Sequence, residues 1–428
     1  MVRWEKTRVA RRRVFYIPGY DPYPPRRYRE LYRTESRKQA EISNYRIEQK
    51  PGRSDTGWAV QAEIEGAQVQ TKIDVLIWHD LVQNSMRAGI PATYLALLKT
   101  AWVYLSTGTL RRLSWLAKGP LLAALYPVAM LLLQFAAAVA AGSILGSLAT
   151  FLTLTVATWV LGAGAGTDSF TWALVGAGVF WLVFLPTVIV ILRWFKAHDD
   201  KTYAYYLMLD YAYTASRRGA YPEEIQARLV EFRHRVEAAM REDIDEVLII
   251  GHSSGAQLAV SLVADLIRSN RFKDHQPVLS LLTLGQVIPM LSFLPEAQRL
   301  RRDLRLLSMS EEISWLDVSA PADGCSFALS DPVAVSGVAP NRGQKWPIVI
   351  SAAFSQTLLP ETYEKLKRRY FRLHFQYLCA FDRPGDYDYF KITAGPLTLG
   401  ARYHGRKSSQ SRISKPASRF TSTVTTYQ

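Results

Sequence analysis

Five consecutive residues carry most of the chemical content of this chain: Gly251-His252-Ser253-Ser254-Gly255. They follow directly on the apolar run 247–250 and lead into residues 256–267, whose pattern reads as a helix. A tight turn between strand and helix lifts a serine hydroxyl clear of the backbone, and glycines on either side let the two elements approach closely. The helix N-terminus then lends positive potential to a nucleophile and to any oxyanion it generates. The chemistry such a hydroxyl can perform is nucleophilic attack on an acyl carbon. The plainer alternative is an ordinary glycine-rich turn.

The flanking sequence supplies the elements that must hold this turn. Residues 13–20, Arg-Val-Phe-Tyr-Ile-Pro-Gly-Tyr, read as a short buried strand ending in a turn, and residues 56–64 and 69–78 as two further strands. After residue 200 the pattern alternates. Pro222 opens a helix with Ile225, Leu229, Phe232, Val236 and Met240 at helical spacing. Residues 245–250, 278–284 and 313–318 read as strands separated by helical segments. Strands alternating with helices predict an α/β fold with a mostly parallel sheet and helices on its faces.

A long apolar block interrupts this pattern. No charged residue occurs from 119 to 167, nor from 169 to 192. A bilayer crossing takes about 20 apolar residues, so the block predicts membrane helices. Three pieces suggest themselves, 121–144, 145–166 and 170–192. Arg111, Arg112 and Lys118 precede the block and Arg193, Lys196 and Lys201 follow it. Basic flanks favour the cytoplasmic side, which requires an even number of crossings. The expectation is therefore two spans, the first and third pieces, with the middle one re-entrant or packed against them; three spans are the alternative. Residues 94–116 fit an interfacial helix. The charged stretch 1–13 lacks the apolar core of a signal peptide. The domain reading is residues 1–117 and 194–404 as two parts of one core, 118–193 as a transmembrane insertion, and 405–428 as a disordered basic tail.

With Gly251–Gly255 as its nucleophile elbow, the chain resembles the α/β-hydrolase superfamily of serine hydrolases, over residues 13–90 and 200–400. The resemblance implies Ser253 as nucleophile and a triad in the chain order serine, acid, histidine. Among the downstream acids, Asp323 lies in a turn-forming loop just past the strand 313–318. Asp317 lies inside that strand and Asp331 precedes Pro332, so Asp323 is the preferred acid, with an Asx turn as the alternative reading. Two histidines follow, His374 and His404. His374 alternates with apolar neighbours and begins the stretch His374-Phe-Gln-Tyr-Leu378, similar to a His-x-x-Tyr stretch of some lipases, which makes it the preferred base over His404. His252 is read as a packing or positioning residue. The oxyanion hole implied by the resemblance takes one backbone N–H from Ser254 and another from Tyr20 or Asp21 in the turn Ile17-Pro18-Gly19-Tyr20-Asp21.

The remaining features exclude more than they suggest. Lys and Arg number 52 against 37 Asp and Glu, a net charge of +15. The excess sits at the two ends, residues 1–38 (Arg11, Arg12, Arg13, Arg26 and Arg27 among them) and 401–428, which suggests termini near anionic surfaces or solvated tails. No nucleic-acid recognition module accompanies it, so no nucleic-acid partner is expected. Cys325 and Cys379 form neither a disulfide framework nor a metal-ligand spacing. His79-Asp80 falls short of a metal site, and the three carboxylates of residues 382–388 lack calcium-loop spacing. No phosphate-binding loop is present; neither a cofactor nor a metal is expected. The sequence thus predicts a multi-pass, membrane-anchored serine hydrolase with a cytoplasmic active domain, acting on a small-molecule or lipid ester. A non-catalytic membrane scaffold that keeps the fold is the competing class.

Overall fold

The computed structural model describes residues 7–21, 24–52, 56–78, 80–81, 89–161, 169–269 and 277–424. Eight strands form one sheet: β1 (Arg11–Ile17), β2 (Arg46–Pro51), β3 (Gly57–Ile64), β4 (Ala67–Val75), β5 (Glu246–His252), β6 (Val278–Leu284), β7 (Ile313–Ser319) and β8 (Ile348–Ser351). Their spatial order is β2-β3-β4-β1-β5-β6-β7-β8. From β4 through β8 every neighbouring pair is parallel, while β2-β3 and β3-β4 are antiparallel. β5 and β7 are buried along their whole length, as near-continuous apolar runs in a parallel sheet should be. The antiparallel edge instead alternates buried and exposed positions. Glu65 and Gly66 join β3 to β4 with φ of +53° and +73°, the two positive values a tight hairpin turn needs to match strand twist.

Connectivity sets where a site can form. From β1 the chain passes through α1 (Arg26–Ser43) to the β2 edge, whereas from β5 it moves the other way to β6. The carboxyl ends of the adjacent strands β1 and β5 are therefore a topological switch point, where open α/β sheets leave a crevice. The turn Ile17-Pro18-Gly19 and the Ser253 turn both lie there.

Several basic residues of the two ends are bonded within the fold. Arg12 is buried in β1, its Nε 2.6 Å from Glu246, with its other nitrogens donating to the Gly395 and Leu397 carbonyls. Arg13 pairs with Asp74 and Arg11 with Asp243. The tail expected to be disordered is laid along the fold as far as residue 424. Ile413 exchanges backbone hydrogen bonds with Leu329 and Asp331, and Ser409 N–H donates to Val349 O. Arg402 binds both oxygens of Glu65, and Arg406 pairs with Asp386. Opposite charges supplied by distant segments override the low apolar content of these residues.

Two compact units partition the chain. One comprises residues 1–85, 100–123 and 213–428, the other residues 86–99 and 124–212. Among the described residues, two helices are long and apolar enough to cross a bilayer, α4 (Lys118–Leu161) and α5 (Ser169–Ala197). Trp159 is 86% exposed and Leu182 75%, the outward apolar display that suits lipid. The three-piece division does not hold: the 145–161 part of the middle piece continues α4 without a break. At 44 residues α4 measures about 66 Å, roughly twice the hydrocarbon thickness. Its C-terminal half is the part that meets α5. Gly142 lies against Phe184 and Val188, Gly146 against Phe180, and the Thr150 hydroxyl donates to Gly176 O at 3.1 Å. Small residues here let the backbones approach. The segment expected to be an interfacial helix is two helices, α2 (Ile90–Ser106) and α3 (Thr109–Leu116), with Arg111 and Arg112 stacked over Trp115.

Candidate active site

The serine turn has the geometry its sequence suggests. β5 ends at His252, Ser253 takes φ +56°, and α8 (Gly255–Arg268, the helix after α6 Ala204–Ala215 and α7 Glu223–Ala239) begins two residues later. A left-handed conformation at a residue with a side chain costs roughly 1–2 kcal/mol, offset by the surrounding packing. A methyl at Gly251 would lie 2.6 Å from Ala256 Cα, and one at Gly255 would lie 2.3 Å from both the Ile17 and Pro18 oxygens. Glycine is required at both positions for α8 to sit against β1 and its own strand. Ser253 N–H is held by Leu284 O at 2.9 Å, and its side chain is half-buried. Gly19, in the turn after β1, faces it: a methyl there would be 3.0 Å from Ser253 Cβ.

The residues expected as acid and base come from far along the chain. The loop after β7 carries Asp323, and a short helix, α10 (Tyr370–His374, following α9 Gln298–Met309), carries His374. His374 Nδ1 lies 2.8 Å from Asp323 Oδ2. Asp323 Oδ1 accepts from Cys325 N–H at 3.0 Å, and Tyr377 Oη donates to Oδ2 at 2.9 Å. Burial alone raises the carboxyl pKa. The adjacent imidazole and the hydrogen bonds from His374, Cys325 and Ser326 outweigh it and hold the group below its usual value. Asp323 is therefore ionised across the neutral range. His374 Nε2 is buried and has no hydrogen-bond partner among the described residues, so no hydrogen bond links it to Ser253. Such bonds are often long in unliganded sites and tighten with substrate present.

His252 and Gly285 shape this arrangement, and neither role is evident from sequence. The His252 ring lies 4.8 Å from the His374 ring, tilted 30°, and its Nε2–H donates to His374 O at 3.0 Å. Burial, with a smaller contribution from His374, pushes the His252 pKa down to about 3. It is neutral and its one donated proton is committed, which fits a positioning role. Gly285 takes φ +51° after β6, where a methyl would strike Tyr377, His374 and Asp323. Of the strand or helix that the sequence allows around His374, the structure has a helical turn, α10; Phe375 and Tyr377 follow it in a further tight turn.

The oxyanion expectation needs correction at Tyr20. Its N–H donates to Ser254 Oγ at 2.7 Å, so in this conformation it is committed to a side chain. Ser254 stands at the N-terminus of α8 immediately after the serine, as anticipated. The Asp21 carboxylate accepts from Tyr28 Oη at 2.5 Å, with Arg27 3.7 Å away.

The other candidates fall elsewhere. Asp317 is buried within β7, where Thr283 Oγ1 donates to it at 2.5 Å and its other oxygen has no partner among the described residues; burial pushes its pKa up to about 8. Asp331 caps the short helix Pro332–Val335, and His404 is exposed. His79 lies outside the described residues, and Asp80 is bound by Arg228 through both oxygens. The carboxylates of 382–388 serve separate structural partners: Asp382 accepts from Leu359 N–H, Asp386 from Arg406, and Asp388 caps α11 (Tyr389–Ala394). Asp323, Cys325 and His374 place three potential metal-binding atoms within 4.8 Å of one another. The thiol, however, is pushed well above its usual pKa by burial and by Asp323. The acid and imidazole are also already bonded directly, so the trio fits a hydrogen-bonded dyad better than a metal centre. Comparison with known proteins yields no match: no family model fits the chain, and no characterised protein or solved structure is detectably similar to it.

Proposed function

We propose that this protein is a membrane-anchored serine hydrolase of α/β-hydrolase type, cleaving carboxylic esters through Ser253, His374 and Asp323. The observation that carries the reading is the 2.8 Å Asp323–His374 bond, with the far imidazole nitrogen buried and unpartnered. A neutral imidazole fixed by a carboxylate on Nδ1 presents Nε2 as a proton acceptor. The chain order serine, acid, histidine and a positive-φ serine after a central strand support the fold-family assignment.

In the proposed cycle His374 Nε2 takes the Ser253 proton as Oγ adds to the ester carbonyl. The oxyanion forms at the α8 N-terminus, where the Ser254 N–H is the local donor. Collapse expels the alcohol, which takes the proton from His374. Water, deprotonated by the same imidazole, then releases the carboxylic acid and restores the serine. The Tyr20 N–H joins the oxyanion hole only if Ser254 Oγ gives it up. The bilayer-length helices and basic flanks favour a multi-pass hairpin with a cytoplasmic active domain and an apolar, lipid-like ester.

A second reading, a scaffold that keeps the fold without catalysis, is favoured by the missing Ser253–His374 bond and the committed Tyr20 N–H. A fluorophosphonate probe separates the two, because it labels only an activated serine. The full-length protein in detergent micelles or nanodiscs should be labelled, and Ser253→Ala should abolish labelling without lowering the melting temperature. An unlabelled wild type, or labelling that survives in S253A, rejects the hydrolase reading.

A further inference from the structure

We infer that Tyr377 is a positioning residue that sets how strongly Asp323 draws a proton onto His374. The inference rests on the hydrolase reading above and assigns a role to a residue outside the triad. Tyr377 is fully buried, and its hydroxyl accepts from Ala320 N–H at 2.9 Å and donates to Asp323 Oδ2 at 2.9 Å. That is the same oxygen that takes His374 Nδ1. The backbone makes room for the phenol: Gly285 takes φ +51°, and a methyl there would lie 2.7 Å from Tyr377 Cε2.

Two donors on one carboxylate oxygen share its charge. The phenol stabilises Oδ2 whether or not the imidazole is protonated, so it weakens the preference of Asp323 for imidazolium over imidazole. Its other bond ties the hydroxyl to the end of β7, so acid, phenol and strand end move together. The phenol stays protonated throughout the working range, since burial and the Asp323 charge both raise its pKa. The other ionisable groups around the pair are His252 from β5 and Cys325 from the acid's own loop. Arg27 of α1 lies over Phe375 at 5.0 Å, and Glu35 of α1 is 3.9 Å from Arg372. Asp317 of β7 is turned to Thr283.

The test is the pH profile of fluorophosphonate labelling at Ser253 in the full-length protein. Labelling requires neutral His374, so its acid limb reports the imidazole. Tyr377→Phe removes the competing donor, favours imidazolium, and should move the midpoint up by about half to one pH unit, within the range neighbouring hydrogen bonds produce. A fluorinated tyrosine at 377 keeps the shape and both bonds but donates more strongly, and should move the midpoint down. If Y377F fails to fold, the fluorinated residue decides alone. A rate lowered equally at every pH with an unmoved midpoint assigns Tyr377 to packing only and overturns the inference. A wild type that is never labelled overturns the hydrolase reading itself, so the two failures are distinguishable.

Discussion

Replacing Asp323 with asparagine turns one oxygen into an NH2 in a site where His374, Tyr377 and Cys325 all donate to the carboxylate. Oδ2 takes His374 Nδ1–H and the Tyr377 hydroxyl, and Oδ1 takes the Cys325 N–H. Asparagine has one oxygen, so its NH2 must face a donor in either orientation. Set toward Cys325, it opposes a backbone N–H that cannot turn away, 3.0 Å off, a buried mismatch of about 1–3 kcal/mol. Turned toward His374, it meets a ring that can exchange tautomers and accept on Nδ1, which relieves the conflict there. The second orientation is therefore preferred, and the proton moves to Nε2, the nitrogen that has to receive the Ser253 proton. Trapping this tautomer in a serine triad lowers turnover by about 10⁴, equivalent to about 5.4 kcal/mol at 1.36 per decade. The assay is the second-order rate of fluorophosphonate labelling of D323N against wild type at pH 8, with melting temperature as the control for folding. A rate within tenfold of wild type, with Ser253 still the labelled residue, would falsify the assignment of Asp323.

Two further outcomes follow from packing and burial. Gly255→Ala puts a methyl 2.3 Å from two backbone oxygens, Ile17 O and Pro18 O, which no rotamer relieves. It should cost about 3 kcal/mol or more in thermal unfolding, and a loss under about 1 kcal/mol contradicts the close approach of α8 to β1. Asp317 has its pKa pushed up to about 8 by burial, so folding retains a proton that the unfolded chain releases near pH 4. Its stabilisation is complete below about pH 4, falls by about 1.4 kcal/mol per pH unit as pH rises toward 8, and levels off above. Asp317→Asn should flatten that slope relative to wild type while leaving labelling of Ser253 intact; parallel stability curves for the two proteins refute the buried-proton argument.

Legibility followed the range of the interactions involved. The β5–Ser253–α8 unit is readable because its apolar run, its glycines and the helix that follows are adjacent in sequence. β6 is equally plain, a run of Val and Leu broken only by Ser280 and Thr283. α1 shows no apolar stripe in the sequence: half of its residues are charged, and it buries Tyr28, Tyr32, Glu35, Ser36 and Gln39. β2 is an edge strand with scarcely an apolar side chain, and β8 has four residues. Neither shows the periodicity that marks a strand. The Gly/Thr-rich stretch in α4 reads as a break only if propensity decides; contact between small residues and the α5 aromatics outweighs it. The alternation around His374 is compatible with strand or helix; the helical turn is settled by contacts such as the His252 bond to the His374 carbonyl.

By itself the chain determined that a serine would stand on a strained turn, that strands and helices would alternate after it, and that two apolar stretches were long enough for a bilayer. These follow from steric and solvation preferences of neighbouring residues. Only the tertiary structure decided that Asp323, not Asp317, meets His374, that the Tyr20 N–H goes to Ser254, and that Arg12 is buried against Glu246 rather than solvated. Those outcomes depend on which charges and donors share a small, poorly solvated space. Residues 51 to 234 positions apart acquire that proximity only once the sheet has assembled.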